Sequence, residues 1–216
     1  MNDFTTWDIL RNLLLAARWT IVLSVVAFIG GGVLGLFLLM ARQSGSKAAL
    51  RAVQAHVALF QSTPLLMQLF LVYFGLPVLG LDVAAWFAAA LCLTLYASAY
   101  LCDIWRGAVE AIPKGQWDAS AAVGLHYLRQ LRLVILPQAV PAAIPPTVGF
   151  LVQLVKSTAL ASILGYRELT KTAQILTNAT FQPFLIFALV ALIYFALCYP
   201  LTAWSRALER KVARSR

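Results

Sequence analysis

Charge is scarce in this chain. Only 12% of its 216 residues are Asp, Glu, Lys or Arg, and just eight of those are acids. A soluble domain carries about a quarter charged residues, so an ordinary solvated globule is excluded. Catalytic groupings are also missing. There is no Gly-x-x-x-x-Gly-Lys-Ser/Thr loop to cradle nucleotide phosphates, and no Ser-His-acid or Cys-His arrangement for nucleophilic chemistry. The three cysteines, Cys92, Cys102 and Cys198, lie in apolar stretches without metal-ligand spacing. Cys92 and Cys102 are ten positions apart on one expected helix, about 15 Å along it, too far to pair. There is no internal repeat of the kind common in secondary transporters, and no low-complexity segment. Neither of the two histidines, His56 and His126, has a metal partner in the pattern; His56 reads as a helix-end residue.

Long apolar runs are what the chain has instead. Hydrophobic residues make up 62% of it and the mean hydropathy is +0.82. The runs reach the roughly 20 residues needed to cross hydrocarbon. Five spans are expected, over residues 19–41, 54–76, 84–105, 133–155 and 182–204. The first apolar run extends past Met40, longer than the 7–15-residue core of a signal peptide, and is read as a span. Pro137, Pro141, Pro145 and Pro146 interrupt the fourth, which is therefore expected to face protein or a pore rather than lipid. Span one carries Gly30, Gly31, Gly32 and Gly35, a stripe suited to close helix packing, expected within the subunit.

The formal charge of +9 is not gathered on a polar face, so nucleic acid is not an expected partner. It follows membrane topology instead. The regions 42–51, 106–132 and 206–216 fall on one side and hold twelve of the seventeen Lys and Arg residues. The positive-inside bias makes that side the cytoplasm, with the N-terminus outside. The expected organisation is an extracytoplasmic segment 1–18, a transmembrane domain 19–208 with a cytoplasmic loop 106–132, and a basic tail 209–216. Trp7, Trp86, Trp105, Trp117 and Trp204 lie mostly near span ends and suit an interfacial belt. Asp103 and Arg106, three apart, are expected to pair on one helix face.

The longest cytoplasmic loop is the most informative stretch. Pro113 and Gly115 punctuate it, residues 116–123 favour a helix, and Gly124 is placed to end it. Such a short helix, with small side chains and one acid, suits insertion into a groove on another protein or a solvated loop equally well. Within the spans, polar side chains need partners or water. The candidates for a polar route are Thr63, Gln68, Gln153, Lys156, Ser157 and Thr158. For Gln68 and Gln153 the alternative is interhelical hydrogen bonding, worth about 0.6 kcal/mol each. For Thr63 a backbone role beside Pro64 is favoured. No acid lies well inside the five expected spans, since Asp82 and Asp103 sit at borders. That argues against a secondary transporter driven by an ion gradient, which together with a membrane scaffold is the alternative reading.

The loop resembles the coupling motif of binding-protein-dependent ABC importer permeases. Asp118-Ala119-Ser120 stands at its acid-Ala-Ala positions, Gly124 at its glycine, and Ile135-Leu136-Pro137 at its Ile-x-Leu-Pro element. Thr63-Pro64-Leu65-Leu66-Met67-Gln68, Pro113-Lys114-Gly115-Gln116 and Lys156-Ser157-Thr158-Ala159-Leu160 are similar to motifs of the polar amino-acid permeases. Asn178-Ala179-Thr180-Phe181-Gln182-Pro183-Phe184 is similar to the histidine, arginine, glutamine and opine branch. The resemblance covers residues 15–208. It implies an all-α membrane protein with the five-helix core of a type I importer permease in the cytoplasmic (inner) membrane. It also implies a non-catalytic subunit that pairs with a second permease chain, identical or sister. Two ABC ATPase subunits would bind the ATP and magnesium, and an extracytoplasmic solute-binding protein would deliver a polar amino acid. Gly115, Gln116, Asp118, Ala119, Ser120 and Gly124 are the implied ATPase-coupling residues.

Overall fold

The computed structural model describes residues 5–43 and 45–214, with the side chains of 213 and 214 set aside. Every regular element among them is helical: α1 (Thr6–Arg42), α2 (Lys47–Ser62), α3 (Leu65–Val78), α4 (Ala85–Glu110), α5 (Lys114–Ala122), α6 (Tyr127–Gln130), α7 (Leu136–Ser157), α8 (Leu169–Thr180) and α9 (Pro183–Arg214). A π-helical segment, Leu131–Ile135, leads into α7, and a 3₁₀ segment, Thr158–Leu164, leaves it. Four stretches are singly long and apolar enough to cross a membrane: Thr6–Arg42, Ala85–Glu110, Tyr127–Leu164 and Pro183–Val212. The pair α2–α3, bent by 107°, brings the count to five when it is taken as one span.

The glycine stripe explains how the core closes. A Cβ on Gly31 would stand 2.4 Å from that of Ala97, and one on Gly35 would stand 3.0 Å from the Ser98 carbonyl oxygen. α1 and α4 thus lie backbone against backbone, as the sequence leads one to expect for packing within the subunit. Leu93, Leu101, Phe150 and Leu154 extend this core from α4 to α7. A second cluster joins Ile9, Leu13 and Ala17 of α1 to Leu169, Ala173 and Leu176 of α8 and to Ile186 and Val190 of α9.

Three expectations change. Residues 6–18 are no separate segment; Thr5 caps α1 in a capping box with Asp8, and the Ile9–Leu13–Ala17 face is packed against α8 and α9. The basic tail likewise continues α9 as far as Arg214; residues 215 and 216 lie outside the described ones. Packing sets these helix lengths, whereas a hydropathy window marks only their apolar part. Span two is the third change, since it breaks at Thr63–Pro64. Pro64 has no N–H to donate to the carbonyl four residues back, that of Phe60.

The prolines of span four do not break it. The Leu136 N–H reaches back five residues to the Leu131 carbonyl, the wider register of a π turn, just before Pro137. Side chains add donors to carbonyls along this stretch. Gln138 Nε2 donates to the Val134 oxygen at 2.7 Å and Thr147 Oγ1 to that of Ala143 at 2.7 Å. Ser205 Oγ of α9 donates to the Pro145 oxygen at 2.8 Å, tying the two helices together.

Candidate functional site: a coupling helix and a polar face

The helix expected over 116–123 is α5, Lys114–Ala122. Gly124 ends it at φ +79°, a conformation that only glycine adopts without strain. The Gly124 N–H donates to the Ala121 carbonyl at 2.9 Å and the Leu125 N–H to that of Ser120 at 3.2 Å, a Schellman closure. Ile112, Ile135 and Ala139, flanked by Val109, Trp117 and Val134, fix α5 onto the ends of α4 and α7. Trp117 stacks on Tyr127 with centroids 5.9 Å apart, and the Tyr127 hydroxyl donates to Gln43 at the end of α1. Lys114, Gly115, Gln116, Asp118, Ala119, Ala121 and Ala122 are exposed. Ser120 departs from the expected set: it is buried and its hydroxyl donates to the Trp117 carbonyl at 2.8 Å. The outward face therefore carries one carboxylate, with Lys114 and Gln116 at its start, among small side chains. At its base, Arg106 pairs with Asp103 at 2.7 Å, as expected, and also with Glu110 at 2.6 Å.

The candidate route residues divide. Gln68 is buried and braces the bend of span two. Its Nε2 donates to the Phe60 carbonyl at 3.1 Å, the acceptor that Pro64 leaves open, and to Thr63 at O (3.0 Å) and Oγ1 (2.8 Å). Thr63 Oγ1 donates to the Leu59 carbonyl at 2.6 Å, the backbone role favoured from the sequence. The Gln68 amide nitrogen is thereby taken up by the break, while its Oε1 is buried with no hydrogen-bond partner among the described residues. Thr158 is fully buried, with its hydroxyl on the Val155 carbonyl at 2.7 Å, and Ser157 Oγ donates to the Gln153 carbonyl at 3.0 Å. Both close the end of α7.

Gln153 and Lys156 remain exposed. With Pro146 and Gly149 they form one stripe along α7, spaced three or four residues apart. On the α4 side the stripe is bordered by Tyr96, whose hydroxyl accepts from Gln153 Nε2 at 3.2 Å, and by Tyr100, stacked on Phe150 at 5.2 Å. On the α9 side lies a groove of about 720 Å³ lined by Lys156, Tyr194, Tyr199, Thr202, Arg206 and Arg210 among others.

Lys156 follows the last residue of the expected span 133–155, yet the helix register sets it deeper. From the Pro145–Ser205 contact, eleven residues up α7 is Lys156 and eleven back along α9 is Tyr194. Tyr194 stands in the middle of the apolar run 183–204.

A buried acid went unnoticed because it lies in the connection between expected spans. Glu168 is fully buried and caps α8, accepting from the Lys171 N–H at 2.8 Å. Thr20 Oγ1 of α1 and the Tyr194 hydroxyl of α9 each donate to its Oε2 at 3.2 Å. Burial raises its pKa, against the lowering effect of these hydrogen bonds. The only sequence signal was an acid immediately before an apolar-periodic helix, a capping pattern. His56 is a further correction: it lies within α2 and its Nε2 meets Ser98 Oγ of α4 at 2.9 Å, bridging two helices rather than ending one. Trp105 also serves inside the fold, donating to Thr147 Oγ1 at 3.0 Å.

With α5 outward and a polar face along α7, comparison with known proteins decides the family. Residues 31–214 match the family described as binding-protein-dependent transport system inner membrane component. The chain belongs to this family. It is 34% identical over 195 residues to the probable amino-acid ABC transporter permease protein YckA of Bacillus subtilis, covering 90% of this chain and 86% of that one. It is 32% identical over 209 residues to the L-cystine transport system permease protein TcyB of Bacillus subtilis, covering 96% and 88%. The crystal structure of an amino acid ABC transporter with histidines superposes with a TM-score of 0.89 at 28% identity, over 93% of this chain and 94% of that one. The chain is thus the non-catalytic, multi-pass permease subunit of an ATP-driven importer of the inner membrane. Its family works with ATPase, solute-binding and permease partners.

Proposed function

We propose that this permease carries a polar amino acid inward, with its N-terminus outside and its C-terminus and α5 in the cytoplasm. The transmembrane domain then takes in the whole of α1 and α9, with its coupling loop at 106–132. Two ATPase subunits, binding ATP and magnesium themselves, grip the outward face of α5. Gly115, Gln116, Asp118, Ala119 and Gly124 are the coupling residues; Ser120 supports them from inside. A binding protein delivers solute from outside, and a second permease chain, identical or sister, completes the pathway.

The observation that carries this reading is α5 itself: a helix closed by its own glycine, presenting Lys114, Gln116, one exposed carboxylate and small side chains, anchored on the ends of α4 and α7. Closure of the ATPases moves that anchor and so tilts the bundle. ATP shifts the permease only by its differential affinity for the two states. The solute follows the α7 stripe, where Gln153 both donates and accepts and so serves either end of a zwitterion.

Two experiments test this. Reporter fusions after Arg51 and Gln130 should read cytoplasm and one after Leu81 the outside; a cytoplasmic signal at Leu81 sinks the orientation. Gln153→Leu should lower uptake while complex assembly and basal ATPase activity persist. Unchanged uptake of every amino acid in that variant removes the α7 stripe from the pathway.

A further inference from the structure

Lys156 is a cation level with the middle of an apolar run, and among the described residues it makes no ion pair. A charge at such depth faces water or a ligand, because hydrocarbon offers it no partner. The groove it opens into runs along one face of α9, through Cys198, Tyr199 and Thr202, to Arg206 and Arg210. Arg206 and Arg210 stand one turn apart, 12 and 16 residues beyond Tyr194, so about 18 and 24 Å along the helix. Neither has an ion-pair partner among the described residues, and no acid lines the groove. The charges that line it are therefore all positive, with Glu168 behind Tyr194 (Oε2 3.2 Å from its hydroxyl) and Glu209 beside Arg210 outside the lining, and hydroxyls of Tyr194, Tyr199 and Thr202 lie between the charges.

We propose that this groove handles the solute by its carboxylate. Lys156 takes the carboxylate at mid-membrane, and Arg206 and Arg210 draw it on to the cytoplasmic end. The proposal rests on the transport reading above and deepens it: the permease recognises the part common to all amino acids, and leaves the choice of side chain to the binding protein. An anion suits these cations, whereas an ammonium or guanidinium would be repelled by all three. Lysine suits the first position as a compact point charge that can release its anion, and the arginines hold a carboxylate more firmly at the exit.

The test begins with the full transporter in proteoliposomes, screening the twenty radiolabelled amino acids to find which is carried. If none is taken up with ATP, the transport reading itself fails. The permease–ATPase complex is then placed in phosphatidylcholine nanodiscs without the binding protein. Binding of the carried amino acid is compared with binding of the amine left when its carboxyl group is removed. The amino acid should bind at least tenfold more tightly, and Lys156→Gln should erase that difference without moving Tm. Arg206→Gln with Arg210→Gln should leave binding in place and slow uptake at least fivefold. Equal binding of the amine, no measurable binding of either compound, or unchanged binding in Lys156→Gln overturns the proposal while leaving ATP-driven uptake intact. So does a double arginine variant that transports normally and has only lost co-purifying phosphatidylglycerol, which would make the arginines a lipid site.

Discussion

The loop around α5 and the hub around Glu168 are built in opposite ways. α5 closes its own end through Gly124, rests on a small apolar patch and keeps Asp118 in water. Glu168 has no exposed surface, and its hydrogen-bond partners come from α1, α8 and α9, as far as 148 positions away. Where contacts are local and outward, a change should alter what the chain grips. Where they are distant and buried, it should alter whether the chain holds together.

The largest stability effect should come at the hub. Glu168→Ala leaves the Lys171 N–H and two hydroxyls without their acceptor and should cost about 3 kcal/mol, seen as a large drop in Tm of the solubilised protein. A Tm within a degree of wild type would show that the hub is dispensable. Next is Gly31→Ala, whose methyl meets Ala97 at 2.4 Å; forcing α1 from α4 should cost about 2 kcal/mol. Normal folding there would mean that the two helices separate freely.

Glu168→Gln sharpens the contrast through pH. The folded-state pKa of Glu168 is raised above its usual 4.5, so its contribution is fully present below that value and is lost as pH rises through the folded pKa. Glutamine carries no such penalty. The Tm difference should therefore grow in favour of Glu168→Gln between pH 4 and 8, and a difference that shrinks would reverse the assignment. The smallest stability change should be at the loop. Gly124→Ala meets no atom within 4 Å and costs only the left-handed backbone, about 1 kcal/mol, with little shift in Tm.

The same division governs what the sequence makes legible. Residues that act within one turn or loop are readable: α5, its glycine stop, the Asp103–Arg106 pair and the Thr63 backbone bond all follow from spacing. The α1 glycine stripe is readable too, because close approach leaves only small residues. Gln68 and Gln153 look alike as isolated amides. Only the bend at Pro64 turns the first inward, and only the α4–α7 register sets the second beside Tyr96. The depth of Lys156 and the burial of Glu168 depend on how α7 and α9 slide against each other, which no local pattern encodes.

The most direct measurement is uptake of radiolabelled amino acid into proteoliposomes holding the permease, with its ATPase subunits and binding protein supplied or withheld, compared with Ala119→Arg on the exposed face of α5. Wild type should accumulate solute only with ATP and all partners present. The variant should keep its Tm but lose both co-purification with the ATPase and uptake. Accumulation driven by an ion gradient without the ATPase, or full ATP-driven uptake by the Ala119→Arg variant, would contradict the account.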